Sequence, residues 1–158
     1  MRGAEGQGIG MVVVESSMPA SAPKVFDVIS EPTTYPQWLT GAKSIRRVDG
    51  DFPSPSSEFE HEVGAGPLTV KDTTEVEEVR PNHLLEMVVR ARPFLVARVV
   101  FEVFAENDHS SRLRLSETPI GFYRFFAVLI DPLIKARNTR SINRLADYLV
   151  GAGLDSRW

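Results

Sequence analysis

The chain has 158 residues, of which 42% are hydrophobic and 25% charged, and it contains no cysteine. This composition is typical of one globular domain, and it excludes disulfides, thiolate metal sites and a cysteine nucleophile. The formal net charge of −3 argues against a nucleic-acid partner, since that affinity comes mainly from cationic side chains. The longest apolar run, residues 125–130, is shorter than the roughly 20 residues that span a bilayer. We expect a cytoplasmic domain without integral membrane association.

The first quarter of the chain is predicted to hold one strand and two short helices. Residues 1–10 contain four glycines and no apolar block, so we expect a flexible tail before a strand at Met11–Met18. A helix follows from about Ser21, a suitable N-cap, because apolar residues then recur at a spacing of three and four. Glu31-Pro32 ends this helix, and residues 33–39 are predicted as a second one.

From residue 42 to residue 117 the pattern changes to a period of two. Turn signals recur about every 8–15 residues, which is typical of consecutive antiparallel strands. Phe59, His61 and Val63 alternate with glutamates in this region, and later segments alternate in the same way. About six strands are predicted, apolar on one face and mostly charged on the other.

An apolar stripe at helical spacing runs from about Ile120 to Val150 and predicts a long C-terminal helix. Pro132 removes one backbone hydrogen bond inside it, so we expect a kink or break there. Gly151 and Gly153 are expected to end the helix. The sequence thus predicts one domain over residues 11–151 and a C-terminal tail at 152–158.

Strands and helices are segregated along the chain, which predicts the α+β class rather than alternating α/β. We expect a curved antiparallel sheet of about seven strands around the long C-terminal helix, with two short helices after the first strand. A sheet that curls around one helix leaves a space between them. Its wall would consist of the inward residues of the sheet and the apolar stripe of the helix.

Five segments carry a resemblance to a known family: Ala22–Ile29, Glu31-Pro32, Tyr35–Trp38, Arg80–Leu84 and Asn138–Leu149. In this order they resemble the START/Bet v 1-like (SRPBCC) superfamily, and most closely its polyketide cyclase/dehydrase-like branch, over roughly residues 11–150. The resemblance implies a helix-grip fold with an apolar cavity between sheet and helix. Members of the superfamily include lipid carriers, quinone-binding proteins, hormone receptors and aromatase/cyclases, and the fold does not choose among them.

Two residues are candidates for catalysis. His61 shares the parity of Phe59 and Val63, so a regular strand turns its imidazole inward, where it could act as a general acid or base. Glu117 stands just before the terminal helix with the parity of an inward residue, and Arg124 is a candidate partner for it. For His61 the alternatives are a core histidine with a satisfied hydrogen bond and a histidine exposed after a bulge. For Glu117 the alternative is a carboxylate that is favoured near a helix N-terminus.

The candidate ligand-binding residues are mostly aromatic or apolar, because core and cavity wall share one face in this architecture. Aromatic residues of the second helix are expected at the entrance, and Asn138 is expected to give the wall a polar spot. The predicted set is Tyr35, Trp38, Phe59, His61, Met87, Phe101, Phe122, Phe126 and Asn138. Phe122 and Phe126 are assigned to the core stripe of the terminal helix, together with Phe125.

The outer surface carries two further features. Arg137, Arg140 and Arg144 are interpreted as a solvated face of the terminal helix, although an arginine stripe also attracts anionic lipid or a partner. Outward-facing apolar residues on the strands predict an exposed patch that would mark a dimer or partner surface. That patch comprises Val88, Val100 and Phe104.

Three functions remain open. The first is binding of a hydrophobic small molecule such as a lipid, isoprenoid, quinone or polyketide. The second is a polyketide cyclase, aromatase or dehydratase in which His61, alone or with Glu117 or a tyrosine, moves protons. The third is a protein-partner module with a vestigial cavity, in which a homodimer is one outcome. We expect no cofactor and no metal, because the glycine-rich residues 6–10 precede a strand instead of following one, and no second histidine has metal-ligand spacing to His61.

Overall fold

The structure, a computed structural model, describes residues 10–155, with side chains described as far as residue 151. Seven strands form one antiparallel sheet in the order β1-β7-β6-β5-β4-β3-β2. They are β1 (Val12–Met18), β2 (Ala42–Arg46), β3 (Glu58–Ala65), β4 (Leu68–Arg80), β5 (Leu84–Ala91), β6 (Leu95–Asn107) and β7 (Ser110–Pro119). Residues 1–9 of the predicted N-terminal tail and residues 156–158 lie outside the described residues.

Three helices accompany the sheet. After β1 come α1 (Ala22–Ile29), a 3-10 turn at Pro32–Thr34 and the single-turn α2 (Tyr35–Trp38). After β7 come a 3-10 segment at Gly121–Phe126 and the long α3 (Ala127–Asp155). The predicted α+β helix-grip fold is confirmed, including the two short helices after the first strand.

The alternation along the strands places one face of the sheet on the core. Phe59 of β3, Met87 of β5, Phe101 of β6 and Leu115 of β7 are at most 2% exposed. The opposite face carries rows of charged side chains, such as Arg98 between Glu77 and Glu86. A one-residue slip would exchange the two faces, so this apolar-polar pattern fixes the register of the strands.

The terminal helix differs from its prediction in two respects. Of the kink or break expected at Pro132, the break does not occur, because the proline lies in the second turn and costs only the bond to the carbonyl near Val128. Gly151 does not end the helix either, which continues to Asp155. A glycine inside a helix costs only about 1 kcal/mol relative to alanine, so it does not by itself end one.

The prediction that Phe122, Phe125 and Phe126 belong to the core is wrong. Their exposed fractions are 67%, 72% and 42%. The reason is local geometry: residues 121–126 form a 3-10 segment, and the buried face of the helix begins only at Ala127. From there it continues through Ile134, Ile142, Leu145 and Leu149.

The predicted outer patch on the strands is also not exposed. Val88 is only 6% exposed. Arg98 of β6 lies directly opposite it in the register, and the aliphatic part of a long arginine side chain covers apolar neighbours on the same face of a sheet. Phe104 is partly buried, and the guanidinium groups of Arg112 and Arg114 stack over its ring at 5.2 and 5.4 Å. These cation–π contacts cover the face of the Phe104 ring, which the sequence analysis expected to be exposed.

Candidate functional site

A cavity of about 630 Å³ lies between the concave face of the sheet and the first half of α3. This volume falls within the range of about 300–1,000 Å³ that is typical of small-molecule sites. Inward residues of six strands, β2 to β7, form most of its wall, and the α2–β2 loop and the β5–β6 turn complete it. Leu133, Arg137 and Asn138 are the contributions of α3. The wall is predominantly apolar, with a few polar groups at separate places.

Most of the predicted ligand-binding residues line this cavity. They are Tyr35, Phe59, His61, Met87, Phe101 and Asn138, and the candidate Glu117 lies on the wall as well. Trp38 lies behind the wall, packed edge-on against Tyr35 and Phe101, and its Nε1 donates to Thr34 Oγ1 at 3.0 Å. Phe122 and Phe126 are exposed and are not part of the wall. Whether the six wall residues contact a ligand remains a prediction.

The first polar group of the wall is the imidazole of His61, which is 5% exposed. Its Nε2–H donates to the carbonyl oxygen of Arg90 at 2.8 Å, which leaves Nδ1 as the acceptor nitrogen of a neutral ring. The hydroxyl of Thr74 lies 3.5 Å from Nδ1 and is its polar neighbour. Burial lowers the pKa of His61, and the Arg90 carbonyl and the charge of Asp72 oppose the shift only in part. The ring is therefore a neutral base with a weakly engaged lone pair.

The second polar group is an ion pair between β7 and α3. Arg137 Nη2 donates to Glu117 Oε1 at 2.5 Å and also contacts Oε2, while Asn138 Nδ2 donates to Oε2 at 2.9 Å. The Glu117 side chain is 5% exposed and that of Arg137 37%. Arg137 is thus the partner of Glu117, and both the expected pairing with Arg124 and the assignment of Arg137 to a solvated face are wrong.

Neighbouring residues fix where Arg137 stands. Ser141 Oγ donates to the Arg137 carbonyl oxygen and accepts from the Thr40 backbone N–H, each at 2.9 Å. Ser141 is fully buried, so this bridge ties α3 to the α2–β2 loop at the cavity wall. Tyr35, by contrast, uses its hydroxyl on the Ile29 carbonyl oxygen at 2.5 Å, and burial raises its pKa well above the usual range. Tyr35 therefore offers the cavity a ring without an available proton.

The two polar groups stand on well-separated strands. His61 is on β3 and Glu117 on β7, with β4, β5 and β6 between them. Four inter-strand steps of about 4.8 Å correspond to a path of roughly 19 Å along the curved sheet. The cavity therefore has an apolar middle and one polar group on each side. The two groups do not form a single catalytic pair.

The rim of the cavity is held by a tethered turn between β5 and β6. Asp72 on β4 accepts from the backbone N–H and the guanidinium of Arg92 at 2.8–3.0 Å, and these bonds lower the pKa of Asp72 to about 2. On the other side of the turn, the Tyr123 hydroxyl donates to the Pro93 carbonyl oxygen at 2.9 Å. The next residue, Phe94, is 64% exposed and belongs to the cavity wall.

Sequence reasoning missed several wall residues. Arg137 was missed because a charged residue on a helix is usually solvated, although its neighbour Asn138 was placed at the apolar stripe. Thr74 has the parity of buried Val76, which is a usable signal. Phe94 and Leu133 lie on the cavity wall although each is more than 60% exposed. A periodic pattern only separates buried from exposed positions, so it does not identify an exposed residue of the wall.

A family model described as polyketide cyclase / dehydrase and lipid transport matches residues 11–150. The chain belongs to that family. Membership supports a ligand-binding or cyclase role for a cavity of this kind. A sequence search of the curated proteins finds no match to this chain.

Solved structures share the fold at low sequence identity. The Zhui aromatase/cyclase from Streptomyces sp. R1128 is 10% identical, with a TM-score of 0.71 over 88% of this chain and 92% of that one. A START superfamily protein from Mycobacterium smegmatis is 19% identical, with a TM-score of 0.63 over 90% and 95%. A protein from Nitrosomonas europaea is 15% identical, with a TM-score of 0.75 over 94% and 99%. At these identities the likeness shows the fold alone.

The described part of the chain has neither a metal-binding cluster nor a membrane-spanning helix. Within residues 10–155, no group of three or more histidine, aspartate or glutamate side chains is arranged to hold a metal ion. No helix in the same range has the length and hydrophobicity needed to cross a bilayer.

Proposed function

We propose that the protein binds an elongated, mainly apolar small molecule in the cavity between the sheet and α3, and carries or presents it. The observation that carries this proposal is the cavity itself: about 630 Å³, bounded by apolar side chains, with few polar groups. Each 100 Å² of ligand apolar surface removed from water contributes about 2.5 kcal/mol before the costs of association. Burial of the ligand body would therefore supply most of the affinity.

The polar groups indicate what else the ligand should carry. Arg137 Nη1 has no acceptor within residues 10–155, so it can donate to a carbonyl or hydroxyl oxygen. On the other side, His61 Nδ1 can accept from a hydroxyl. A lipid, an isoprenoid, a quinone or a polyketide with a polar group at one or both ends fits this arrangement. The specificity would come from these few donors and acceptors, because apolar contacts discriminate weakly.

A titration with the uncharged fluorophore N-phenyl-1-naphthylamine tests whether the cavity binds apolar molecules. Val99 lines the cavity, and Val100 follows it on the opposite face of β6. Val99→Trp should occupy part of the space and reduce binding at least about tenfold, whereas Val100→Trp adds the same indole outside and should bind as the wild type does. Equal binding by both variants would refute the cavity as the binding site.

A cyclase or aromatase is the second candidate, and the state of His61 favours it. The ring is neutral, its Nε2–H is fixed by the Arg90 carbonyl, and Nδ1 has only a long contact to Thr74. A methylene group between two ketones is acidic, and Nδ1 could accept its proton. The resulting enolate would attack a second carbonyl of the same chain, and the protonated ring would return the proton to the new alkoxide. Loss of water from that aldol product would then give the ring system.

Glu117 has a different place in this second candidate. Its oxygens already accept from Arg137 and Asn138, so few lone pairs remain for proton abstraction. We therefore propose it as the residue that positions Arg137, whose free N–H groups would bind the carbonyl of a poly-β-ketone. Folding the chain into a reactive pose would supply much of the rate.

The cyclase hypothesis is tested with a poly-β-ketone thioester that a minimal polyketide synthase generates in situ. The products are analysed by mass spectrometry. Wild type should direct one cyclised product, and His61→Ala should lose it while N-phenyl-1-naphthylamine binding persists. An unchanged product pattern with His61→Ala would rule out this mechanism and leave the binding role standing.

A partner module with a vestigial cavity has less support. The cavity is of ligand size, and Val88 of the expected patch is buried. The cytoplasmic location, the lack of a nucleic-acid partner and a homodimer all remain predictions.

A further inference from the structure

Large apolar side chains are concentrated around the mouth of the cavity. The opening is marked by wall residues that are 64–71% exposed, namely Leu68, Phe94 and Leu133. Together with four exposed apolar residues of the 3-10 segment and the start of α3, they define what we call the mouth patch. Its seven members, at exposed fractions from 64% to 74%, are Leu68, Phe94, Phe122, Phe125, Val128, Leu129 and Leu133. An aromatic side chain offers about 150–250 Å², so three phenylalanines at two-thirds exposure contribute roughly 300–500 Å². That alone reaches the size of the largest apolar patch on a typical monomer.

Several contacts link members of the mouth patch to one another and to the cavity. Phe122 packs against Phe125 with ring centroids 6.4 Å apart, and against Tyr123 at 6.0 Å. Tyr123 is hydrogen-bonded to Pro93, the residue before Phe94. Phe94 and Leu133 both belong to the cavity wall, and Leu129 lies one helical turn before Leu133. An apolar ligand leaving the cavity therefore crosses exposed apolar surface.

Basic residues are concentrated in the segment that carries most of this surface. Residues 121–140 contain four cationic side chains and a single acidic one, Asp131, in a chain whose net charge is −3. Arg137 is neutralised by Glu117, but Arg124, Lys135 and Arg140 are exposed. The Arg124 guanidinium lies 5.2 Å from the centre of the Phe125 ring, so a cation and an exposed aromatic ring stand side by side. The segment that carries most of the mouth patch is thus cationic, in a chain whose net charge is negative.

We propose that the mouth patch docks on the surface of a membrane containing anionic phospholipids, with the cavity opening toward the lipid. Aromatic and aliphatic side chains would enter the boundary between headgroups and acyl chains, and Arg124, Lys135 and Arg140 would meet the lipid phosphates. A second copy of the chain fits less well. A two-fold contact places the same surface on itself, so it would bring these cations against each other. The membrane provides the complementary charge.

Flotation of the purified protein with vesicles tests this proposal. We expect the wild type to float with vesicles of phosphatidylcholine and phosphatidylglycerol in equal parts, and much less with phosphatidylcholine alone. Phe122→Ser with Phe125→Ser should lower the vesicle affinity at least about tenfold, because both rings are exposed and would insert. Arg124→Gln with Lys135→Gln should lower it about 25-fold, roughly fivefold for each cation lost, on the mixed vesicles only.

A matched pair of single variants controls for stability and for general stickiness. Val128 and Val150 are both exposed valines of α3, at 74% and 52%, but only Val128 belongs to the mouth patch. Val128→Ser should weaken vesicle binding, and Val150→Ser should not. This pair keeps the test valid if the phenylalanine double variant fails to fold.

The remaining outcomes either support or overturn the proposal. Val99→Trp, whose cavity is narrowed, should still bind vesicles, so failure of ligand binding and failure of membrane docking are distinguishable. Absence of wild-type flotation, or flotation unchanged by the Phe122, Phe125 and Val128 variants, would overturn the proposal. Self-association that disappears with Phe122→Ser and Phe125→Ser, without vesicle binding, would assign the patch to a second copy instead.

Discussion

Arg137 on α3 contacts both carboxylate oxygens of Glu117 on β7, 20 residues earlier in the chain, at the wall of the cavity. The pair fastens the long helix to the sheet at the place where the cavity separates them. Glu117 is almost completely buried, whereas more than a third of the Arg137 side chain reaches solvent. The two partners therefore differ in how well each tolerates the loss of the other.

This difference predicts unequal effects of two variants. Arg137→Met leaves a buried carboxylate with Asn138 as its donor, and should reduce the free energy of unfolding by about 2–3 kcal/mol. Glu117→Gln leaves a guanidinium that can turn toward water, and should cost about 1 kcal/mol. Urea denaturation of both variants and of the double variant measures this. Equal losses would contradict the assigned burial.

The lowered pKa of His61 predicts that the stability of the protein depends on pH. Because its pKa is lowered in the folded protein, the unfolded chain binds a proton first as the pH falls below about 6.5. Stability should therefore be full above that pH and decrease from there down to the folded pKa. The melting temperatures of the wild type and of His61→Gln, plotted against pH, should have different slopes in this window, and the slope should be smaller for the variant. His83→Gln, at an exposed position, is the control and should follow the wild type.

The surroundings of Gly64, at the end of β3, predict that a side chain at this position would be unusually destabilising. A Cβ atom at this position would lie 1.8 Å from the carbonyl oxygen of Leu68, so the backbone of the β3–β4 hairpin would have to move. Gly64→Ala should lower stability by about 3 kcal/mol or more. Gly66→Ala in the same turn meets no atom within 4 Å and should cost only about 1–2 kcal/mol for its positive φ. Similar losses for both would show that the hairpin adapts.

The lowered pKa of Asp72 predicts that stability also depends on pH in a second, more acidic range. Its bonds to Arg92 lower its pKa to about 2 from an ordinary value of 3.8, so the stability they provide is present above 3.8 and is lost as the pH falls through about 2. Asp72→Asn should be less stable than the wild type at neutral pH, and the difference should shrink across that window. Chemical denaturation at pH 7 and at pH 2 measures it. A constant difference would contradict the pairing.

The sheet and the strand side of the site follow from the sequence because a period of two is a local property. The parity of His61 with Phe59 was enough to place its imidazole on the cavity wall, and Glu117 was placed there in the same way. The helix side was less predictable. Whether Arg137 faces water or Glu117, and whether Phe122 packs or remains exposed, depends on where the 3-10 segment gives way to α3. That boundary is set by packing against the whole sheet, which periodicity does not encode.

Native mass spectrometry tests the central claim most directly, on the protein as purified and after incubation with N-phenyl-1-naphthylamine. The account predicts one apolar molecule bound per chain in the wild type and in Val100→Trp, and a complex at least about tenfold weaker in Val99→Trp. Organic extraction of the wild-type complex would then give the class of a ligand already bound. A wild type that forms no complex in either sample, or a Val99→Trp variant that forms the same complex, would contradict the cavity as a binding site.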